Sequence, residues 1–480
     1  MSYDIIVGME VHVQLLTRSK LFCACPNRFG DPPNTNVCPV CLGLPGVLPV
    51  MNRHAFELSL RAAAGLNCTL ADYTKWDRKG YYYPDLPKNY QISQYDQPLS
   101  LDGALEFYSE GQRRRVGIIR AHLEEDAGKL MHTTTGASQV DLNRTGTPLL
   151  EIVSEPDITG ARQAYDYLTN LKLLLQYLEV SDCNMQEGSL RAEPNVNLRI
   201  PTDDGDVFTP IAEVKNVNSF RAVEKAIAQM AELQYKQWQK TGVTKAHGTK
   251  TTYGWDDERE TLVPQRQKEE AEEYRYFPEP DLAPVTVDEA WRTRTIEALP
   301  ERPVEKYERF VTEHKLSEDH ATKLVQDRAL ADYFETLARQ SGDAQLAANY
   351  TMNEVSRKLN ELGVGAGSFA VGPERLAGLL KLVKADTVSS KQGRKVFEAM
   401  IDSEASAGEL VKELGLEQIS DTSELERIVD DLIAEHPDWV EDHKKGKPSA
   451  NAFMGQVMKA TRGQANPKVV MGIIMKKLGS

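Results

Sequence analysis

The chain has 480 residues, of which 41% are hydrophobic, 27% charged and 7% aromatic, a composition that excludes a disordered, collagen-like or disulfide-scaffold protein. At this length about two to four domains are expected. Lys and Arg number 57 against 71 Asp and Glu, a balance of −14, so a nucleic-acid partner could be met only by a local basic patch.

No apolar run approaches the roughly 20 residues that span a bilayer. The start, MSYDIIVGMEVHVQL, shows no basic segment, long apolar stretch or cleavage site of a signal peptide, which predicts a cytoplasmic protein. Residues 1 to about 290 mix short alternating apolar stretches with Gly, Pro and Tyr, and predict an α+β block. Ile5-Ile6-Val7, then Val11 and Val13 between polar partners, read as a strand, and Glu10 and His12 share one of its faces.

Cys23-Ala24-Cys25 and, twelve residues on, Cys38-Pro39-Val40-Cys41 form two close pairs. Such pairs can supply four thiolates to a tetrahedral Zn²⁺ in a reducing compartment, at about 2.3 Å each. Four reduced thiols that ligate nothing are the alternative. Four cysteine ligands leave no open position, so a metal there would be structural. Cys68 and Cys183 stand alone and read as packing residues.

A second strand is predicted over Gly117 to Leu123, running into His122-Leu123-Glu124-Glu125-Asp126. Glu151 lies in Pro148-Leu149-Leu150-Glu151-Ile152, and Glu213 in Ala212-Glu213-Val214-Lys215-Asn216. A carboxylate between apolar strand residues is costly unless it is paired or binds a metal. Carboxylates converging from several strands would make an oxygen-rich Mg²⁺ site, which would bring a nucleoside triphosphate with it. Each Glu could equally pair with a nearby Arg or Lys. The stretches Asp77 to Asp85 and Tyr274 to Pro278 thread basic residues through aromatics, which suits a phosphate beside a stacking partner.

Leu168, Leu171, Leu175 and Leu178 recur at helical spacing and predict a helix from Gly160 to Val180. A second helix is predicted from Arg221 to Lys240, after the loop Lys215 to Ser219. Helical character takes over after Leu299-Pro300-Glu301-Arg302-Pro303. There Leu330, Phe334 and Leu337 share a face, as do Leu376, Leu380 and Val383 behind Pro373. Gly363-Val364-Gly365-Ala366-Gly367 lies between helices and reads as a connector.

The tail splits by charge. Gly408 to Asp442 holds 12 acidic and 2 basic residues, whereas His443 to Ser480 holds 8 Lys and Arg and no acidic residue. Lys447, Lys459, Arg462 and Lys468 in the second stretch are candidates for a phosphate-binding surface, with a plain solvated helix pair as the alternative. There is no G-x-x-x-x-G-K-[ST] loop, no G-x-S-x-G elbow and no Gly/Ser-rich amidase stretch. Nucleotide chemistry would therefore need a metal-and-carboxylate site.

Several segments together carry a resemblance. They are Val7 to Gln14, Asp77-Arg78-Lys79, Tyr82-Tyr83-Pro84-Asp85, His122 to Lys129, Asp141-Leu142-Asn143-Arg144, Glu151 to Asp157, Lys215 to Phe220 and Tyr274 to Pro278. They closely resemble the GatB/GatE family, the B subunits of tRNA-dependent amidotransferases. Gly455 to Pro467 looks like that family's tail domain.

The resemblance implies a multidomain α+β chain: a glutamine-synthetase-like catalytic cradle over residues 1–292, a helical domain over 293–405 and a tRNA-binding helical tail over 406–480. It implies a ligase that uses ATP and Mg²⁺ to phosphorylate the side-chain carboxylate of mischarged Glu-tRNA(Gln) or Asp-tRNA(Asn). Ammonia then displaces the phosphate; it comes from a GatA-type glutaminase subunit, held with a GatC-type small subunit in a heterotrimer. Glu10, His12, Glu125 and Glu151 match the family's metal and phosphoryl positions, with Glu213 as an addition and Lys79 and Arg275 as phosphate contacts. The sequence departs from the family pattern at Ala192 and Glu193, where a Cys-Asp pair is usual. A rival reading from another class is a non-catalytic, zinc-containing tRNA-binding scaffold.

Overall fold

The computed structural model describes residues 3–132, 136–245, 250–265, 274–416, 422–444, 449–461 and 464–479. The chain divides into two compact units, Met1–Glu305 and Lys306–Ser480.

The strands of the first unit are, in chain order, β1 (Asp4–Gln14), β2 (Thr69–Leu70), β3 (Tyr73–Thr74), β4 (Asp77–Gly80), β5 (Tyr90–Ser93), β6 (Ser100–Ser109), β7 (Gln112–Glu125), β8 (Lys129–His132), β9 (Ser138–Asp141), β10 (Pro148–Ser154), β11 (Leu190–Thr202), β12 (Gly205–Phe208), β13 (Ala212–Lys215), β14 (Thr251–Asp256), β15 (Thr261–Pro264), β16 (Phe277–Pro278) and β17 (Val285–Thr286). Its helices are α1 (Arg53–Gly65), α2 (Ala161–Tyr177), α3 (Phe220–Thr241) and α4 (Glu289–Glu297). Ten strands form one sheet in the order β15-β14-β13-β11-β1-β10-β7-β6-β2, with β12 added beside β11. Neighbours are antiparallel except β13 and β14.

Period-two alternation decides what each face does. Val7, Met9, Val11 and Val13 of β1, Leu150 and Ile152 of β10, Ala121 and Leu123 of β7, Ala192 and Val196 of β11, and Ala212 and Val214 of β13 are all buried in one core. Helix α2 packs on β6 and α3 on β11, and both contribute apolar stripes to that core, including Leu168, Leu171 and Leu175 from α2 and Val223, Ile227 and Met230 from α3. Intervening residues of the same strands turn to the other face, and these include the acidic residues and histidines singled out above. A small sheet, β16-β4-β5, carries Lys79 on β4.

From Pro303 on the described chain is helical: α5 (Pro303–Thr312), α6 (Glu318–Val325), α7 (Arg328–Ser341), α8 (Ala344–Tyr350), α9 (Ser356–Leu362), α10 (Pro373–Lys384), α11 (Ser390–Ile401), α12 (Ala407–Glu413), α13 (Thr422–Glu435), α14 (Pro437–Lys444), α15 (Ala450–Ala460) and α16 (Pro467–Leu478). The α+β block followed by helices is the expected architecture. Gly363 takes φ +65 as the left-handed cap that ends α9, so the glycine run is a connector as expected.

The second unit holds two cores. Phe334, Leu337, Leu376, Leu380 and Phe397 belong to one, and Ala407, Leu410 and Val411 of α12 join it. Leu425, Val429, Phe453, Val457, Val470 and Ile474 make the other. Helix α11 starts with a capping box in which the Ser389 hydroxyl and Gln392 side chain satisfy each other's backbone N–H groups. Ser389→Ala is expected to cost about 1 kcal/mol, read as a lower denaturant midpoint at unchanged slope. Among the described residues no helix is long and apolar enough to cross a membrane.

Candidate active site

Five neighbouring strands present their polar residues on the face away from the helices. The register sets Glu151 opposite His12 on one side and opposite His122 on the other. The His12 Nε2 lies 3.5 Å from Glu151 Oε2, 3.7 Å from Glu124 Oε1 and 3.9 Å from Glu10 Oε1. His122 Nε2 lies 3.3 Å from Glu151 and 3.8 Å from Glu124. Three of the expected ligands, Glu10, His12 and Glu151, are therefore brought together, and their donor atoms lie within 4.8 Å of one another.

The structure places Glu125 apart from this group. It follows Glu124 by one residue on β7, and successive strand residues point to opposite sides. Its carboxylate accepts the Ile92 N–H at 2.9 Å and pairs with the buried Lys88 ammonium. It also lines a cavity of about 30 Å³ that Cys23 and Cys41 share. Glu124 takes the place expected of Glu125, with the Ser93 hydroxyl donating to it at 3.0 Å. His122 and Glu124 belong to the motif His122 to Asp126, and parity counted from Ala121 and Leu123, the apolar face of the same strand, is the signal that selects them.

Glu213 shares the face but sits on β13, three strands from Glu151, roughly 14 Å away at about 4.8 Å per strand. It belongs to another group, 3.0 Å from Lys215 and 3.5 Å from Lys250. Lys79 does face the cluster: its ammonium lies 5.0 Å over the Tyr274 ring. Burial draws it down, but the Glu124 and Glu151 carboxylates and Tyr276 hold it firmly protonated. Tyr276 stacks on Tyr95 at 4.0 Å. Arg275 is exposed, its guanidinium 5.7 Å over Tyr82.

The electrostatics are those of a site crowded with negative charge. Burial, then the Glu151 carboxylate, raise Glu10 above the usual range. Burial also opposes ionisation of Glu151, yet His122 and His12 hold it well below that range. His12 is pulled down by burial but pushed up to about 9 by Glu151 and Glu124. The nitrogen–oxygen separations of 3.5 and 3.9 Å within the Glu10, His12 and Glu151 group exceed a good N–H···O bond. They suit donors sharing one hard cation at about 2.1 Å from each. Among the described residues the buried His122 Nδ1 has no hydrogen-bond partner. Two carboxylates and an imidazole on adjacent strands are a donor set that fits a divalent ion.

The four cysteines also gather, with their Sγ atoms within 4.8 Å of one another. The Cys38 N–H donates to Cys41 Sγ at 3.2 Å, and the fully buried Lys20 ammonium lies 3.7 Å from the same sulfur. Cys23 and Lys20 pull the Cys41 thiol down to about 5, while burial and Cys38 push Cys25 up to about 11. Such a group of thiols sharing protons can hold a metal. Cys68 and Cys183 are buried in the core, as expected. In the tail, Lys459 and Lys468 are exposed, and Lys447 and Arg462 lie outside the described residues.

Residues 5–293 match the GatB/GatE catalytic domain, and residues 332–478 match the GatB domain. Curated proteins named as B subunits of aspartyl/glutamyl-tRNA(Asn/Gln) amidotransferase are similar over the whole length. The protein of Thermoanaerobacter pseudethanolicus is 47% identical over 479 residues, with 100% of both chains covered. That of Moorella thermoacetica is 47% identical over 482 residues, again with 100% of both covered. The Rhodopirellula baltica protein is 45% identical over 477 residues, 98% of this chain and 96% of its own. Because this similarity runs unbroken from the acidic strands to the last helix, the chain belongs to the GatB/GatE family.

Proposed function

We propose that this chain is the carboxylate-activating subunit of a tRNA-dependent amidotransferase, acting on Glu-tRNA(Gln), Asp-tRNA(Asn) or both. The observation that carries the reading is the convergence of Glu10, His12, Glu151 and Glu124, with Lys79 beside them, on one sheet face in a chain 47% identical to curated amidotransferase B subunits. A side-chain carboxylate resists ammonia because it is anionic and has no good leaving group. Attack of its oxygen on the γ-phosphorus of ATP releases ADP and leaves an acyl phosphate. Ammonia then adds to the acyl carbon, phosphate departs, and a proton is lost to give the amide.

Glu10, His12 and Glu151 would hold Mg²⁺, with Glu124 alongside. When bound, the ion neutralises charge on phosphoryl oxygens. Lys79 adds a fixed positive charge for the phosphates. The aromatic wall of Tyr274, Tyr276 and Tyr95 limits water around that charge and strengthens it. Arg275 offers a second, more exposed phosphate contact. The ammonia source is read as a separate glutaminase subunit of GatA type, with a small GatC-type subunit, in a cytoplasmic complex. The cradle is assigned to residues 1–292, the helical domain to 293–405 and the tRNA-binding tail to 406–480.

ATP-dependent phosphate release, measured with mischarged tRNA and ammonia, tests the reading. Release that requires the mischarged tRNA supports it. Absence of release, with tRNA still bound, favours the zinc-containing binding scaffold.

The cysteine group is read as a structural Zn²⁺ site, because its four sulfurs leave no open position. Elemental analysis is expected to find one zinc per chain, and a chelator to lower the melting temperature. Less than a tenth of an equivalent, with stability unchanged by chelation, would leave the thiols as packing residues.

A further inference from the structure

The acidic face continues for two strands beyond Glu10, and Lys215 there has no part in the proposed metal site. Glu10 on β1 stands directly opposite Glu193 on β11, a position at which like charges repel. Glu213 on β13 stands opposite Asn195, two residues further along β11. Extending that register by two residues sets Lys215 opposite Glu193. The Lys215 ammonium pairs with Glu193 and lies 3.0 Å from Glu213, with its side chain only 16% exposed.

Glu193 and Glu213, from adjacent strands, share the Lys215 ammonium as donors share a divalent ion, while the half-exposed Lys250 reaches only Glu213, at 3.5 Å. Here the positive charge is covalently tethered.

We propose that Lys215 is a built-in cation of the cradle, filling the place between Glu193 and Glu213 that a second divalent ion would otherwise take. The assignment rests on the metal reading of Glu10, His12 and Glu151. The tethered Lys215 charge then lies roughly two strand spacings or 10 Å from the exchangeable ion. Lys215 acts as a positioning residue. It ties Glu193 to β13 and offsets its charge, which leaves Glu10 to the exchangeable ion. A tethered ammonium is not diluted or chelated away, so the cradle needs only one metal equivalent to reach its working charge.

Binding of Mn²⁺ alone to the full-length chain, counted from the electron paramagnetic resonance of the free ion, tests this. The wild-type chain is expected to hold one equivalent, which Glu151→Gln loses. Lys215→Met vacates the place and is expected to hold two, and adding Glu193→Gln returns the count to one. Lys215→Arg keeps the fixed charge and stays at one. If Lys215→Met fails to fold, Lys215→Gln still hydrogen-bonds Glu193 and carries the same expectation of two. One equivalent in the Met or Gln variant, still lost with Glu151→Gln, overturns the assignment and leaves Lys215 a simple ion-pair strut. Two equivalents in the wild-type chain overturn it as well. None in the wild-type chain overturns the metal reading itself, and the assignment with it.

Discussion

Glu151→Gln is expected to lower ATP-dependent phosphate release by about 10²–10³-fold or more while leaving tRNA binding nearly unchanged. Glu151 is the carboxylate that both histidines approach most closely, at 3.5 Å from His12 and 3.3 Å from His122. The amide keeps the shape of the side chain and one acceptor but removes the charge, so a cation loses a ligand and His12 loses its main anionic neighbour. The tRNA-contacting lysines are assigned to another part of the chain, so affinity for tRNA is not touched.

Glu125→Gln supplies the contrast. Its amide oxygen can still accept the Ile92 N–H, but the Lys88 ammonium is left buried without its counter-charge. Removing one partner of such a pair costs about 3–5 kcal/mol, and the retained hydrogen bond puts this variant toward the lower end. The Glu125 variant is therefore expected to melt earlier and still bind Mn²⁺, whereas the Glu151 variant keeps its fold and loses the ion. Full phosphate release in Glu151→Gln would sink the metal assignment. Loss of Mn²⁺ binding in Glu125→Gln would show that the two faces of β7 are coupled.

The contrast between these adjacent glutamates shows where sequence reading succeeds and where it stops. Strand β1 is legible because period-two alternation persists over 11 residues, and it already puts Glu10 and His12 on one face. The same logic applied to β7 separates His122 and Glu124 from Glu125. The motif His122 to Asp126 invites a choice among three consecutive acids, and only parity against Ala121 and Leu123 makes it.

The leucine spacing carries helix α2 on to Val180, whereas the helix ends at Tyr177. Leu178 and Val180 continue the apolar content past the last turn, but the chain reverses at Glu179, with φ +55, and buries them from a turn. Other features depend on long-range placement that no local pattern encodes. Lys79 reaches Glu124 and Glu151 only because β4 lies in a separate three-stranded sheet carried against the end of β7 by β5. Lys20 carries no local signal in the sequence, and it is fully buried, donating to Asn36 O at 2.7 Å beside Cys41. Glu213 is acidic, apolar-flanked and on the same face; only the strand order keeps it from the Glu10, His12 and Glu151 group.

Truncation after Leu416 is expected to raise the apparent KM for tRNA by about tenfold or more, with a much smaller effect on kcat. This cut keeps α12, whose Ala407, Leu410 and Val411 belong to the core with α7, α10 and α11, and it removes the whole second helical core. The acidic helix α13 and the basic helices α15 and α16 pack on that one core, joined at its edge by Lys477 and Asp430 at 2.5 Å. Acidic and basic residues are therefore surfaces of a single small bundle, and only the basic surface can meet phosphates. Lys459 is exposed in the last turn of α15. Lys468 lies in the first turn of α16, where a positive charge works against the helix dipole and contributes nothing to helix stability. Its side chain is 84% exposed, and Asp386 approaches no closer than 3.9 Å. A lysine held in so unfavourable a place is better explained by an external anion than by its own helix. Each such residue on a phosphate adds about 0.7–0.9 to the slope of log affinity against log salt, so Lys459→Ala with Lys468→Ala should flatten that slope by roughly 1.4–1.8. An unchanged KM and an unchanged slope after truncation would place tRNA recognition wholly in the residues before 417, and the bundle would then be a solvated appendage.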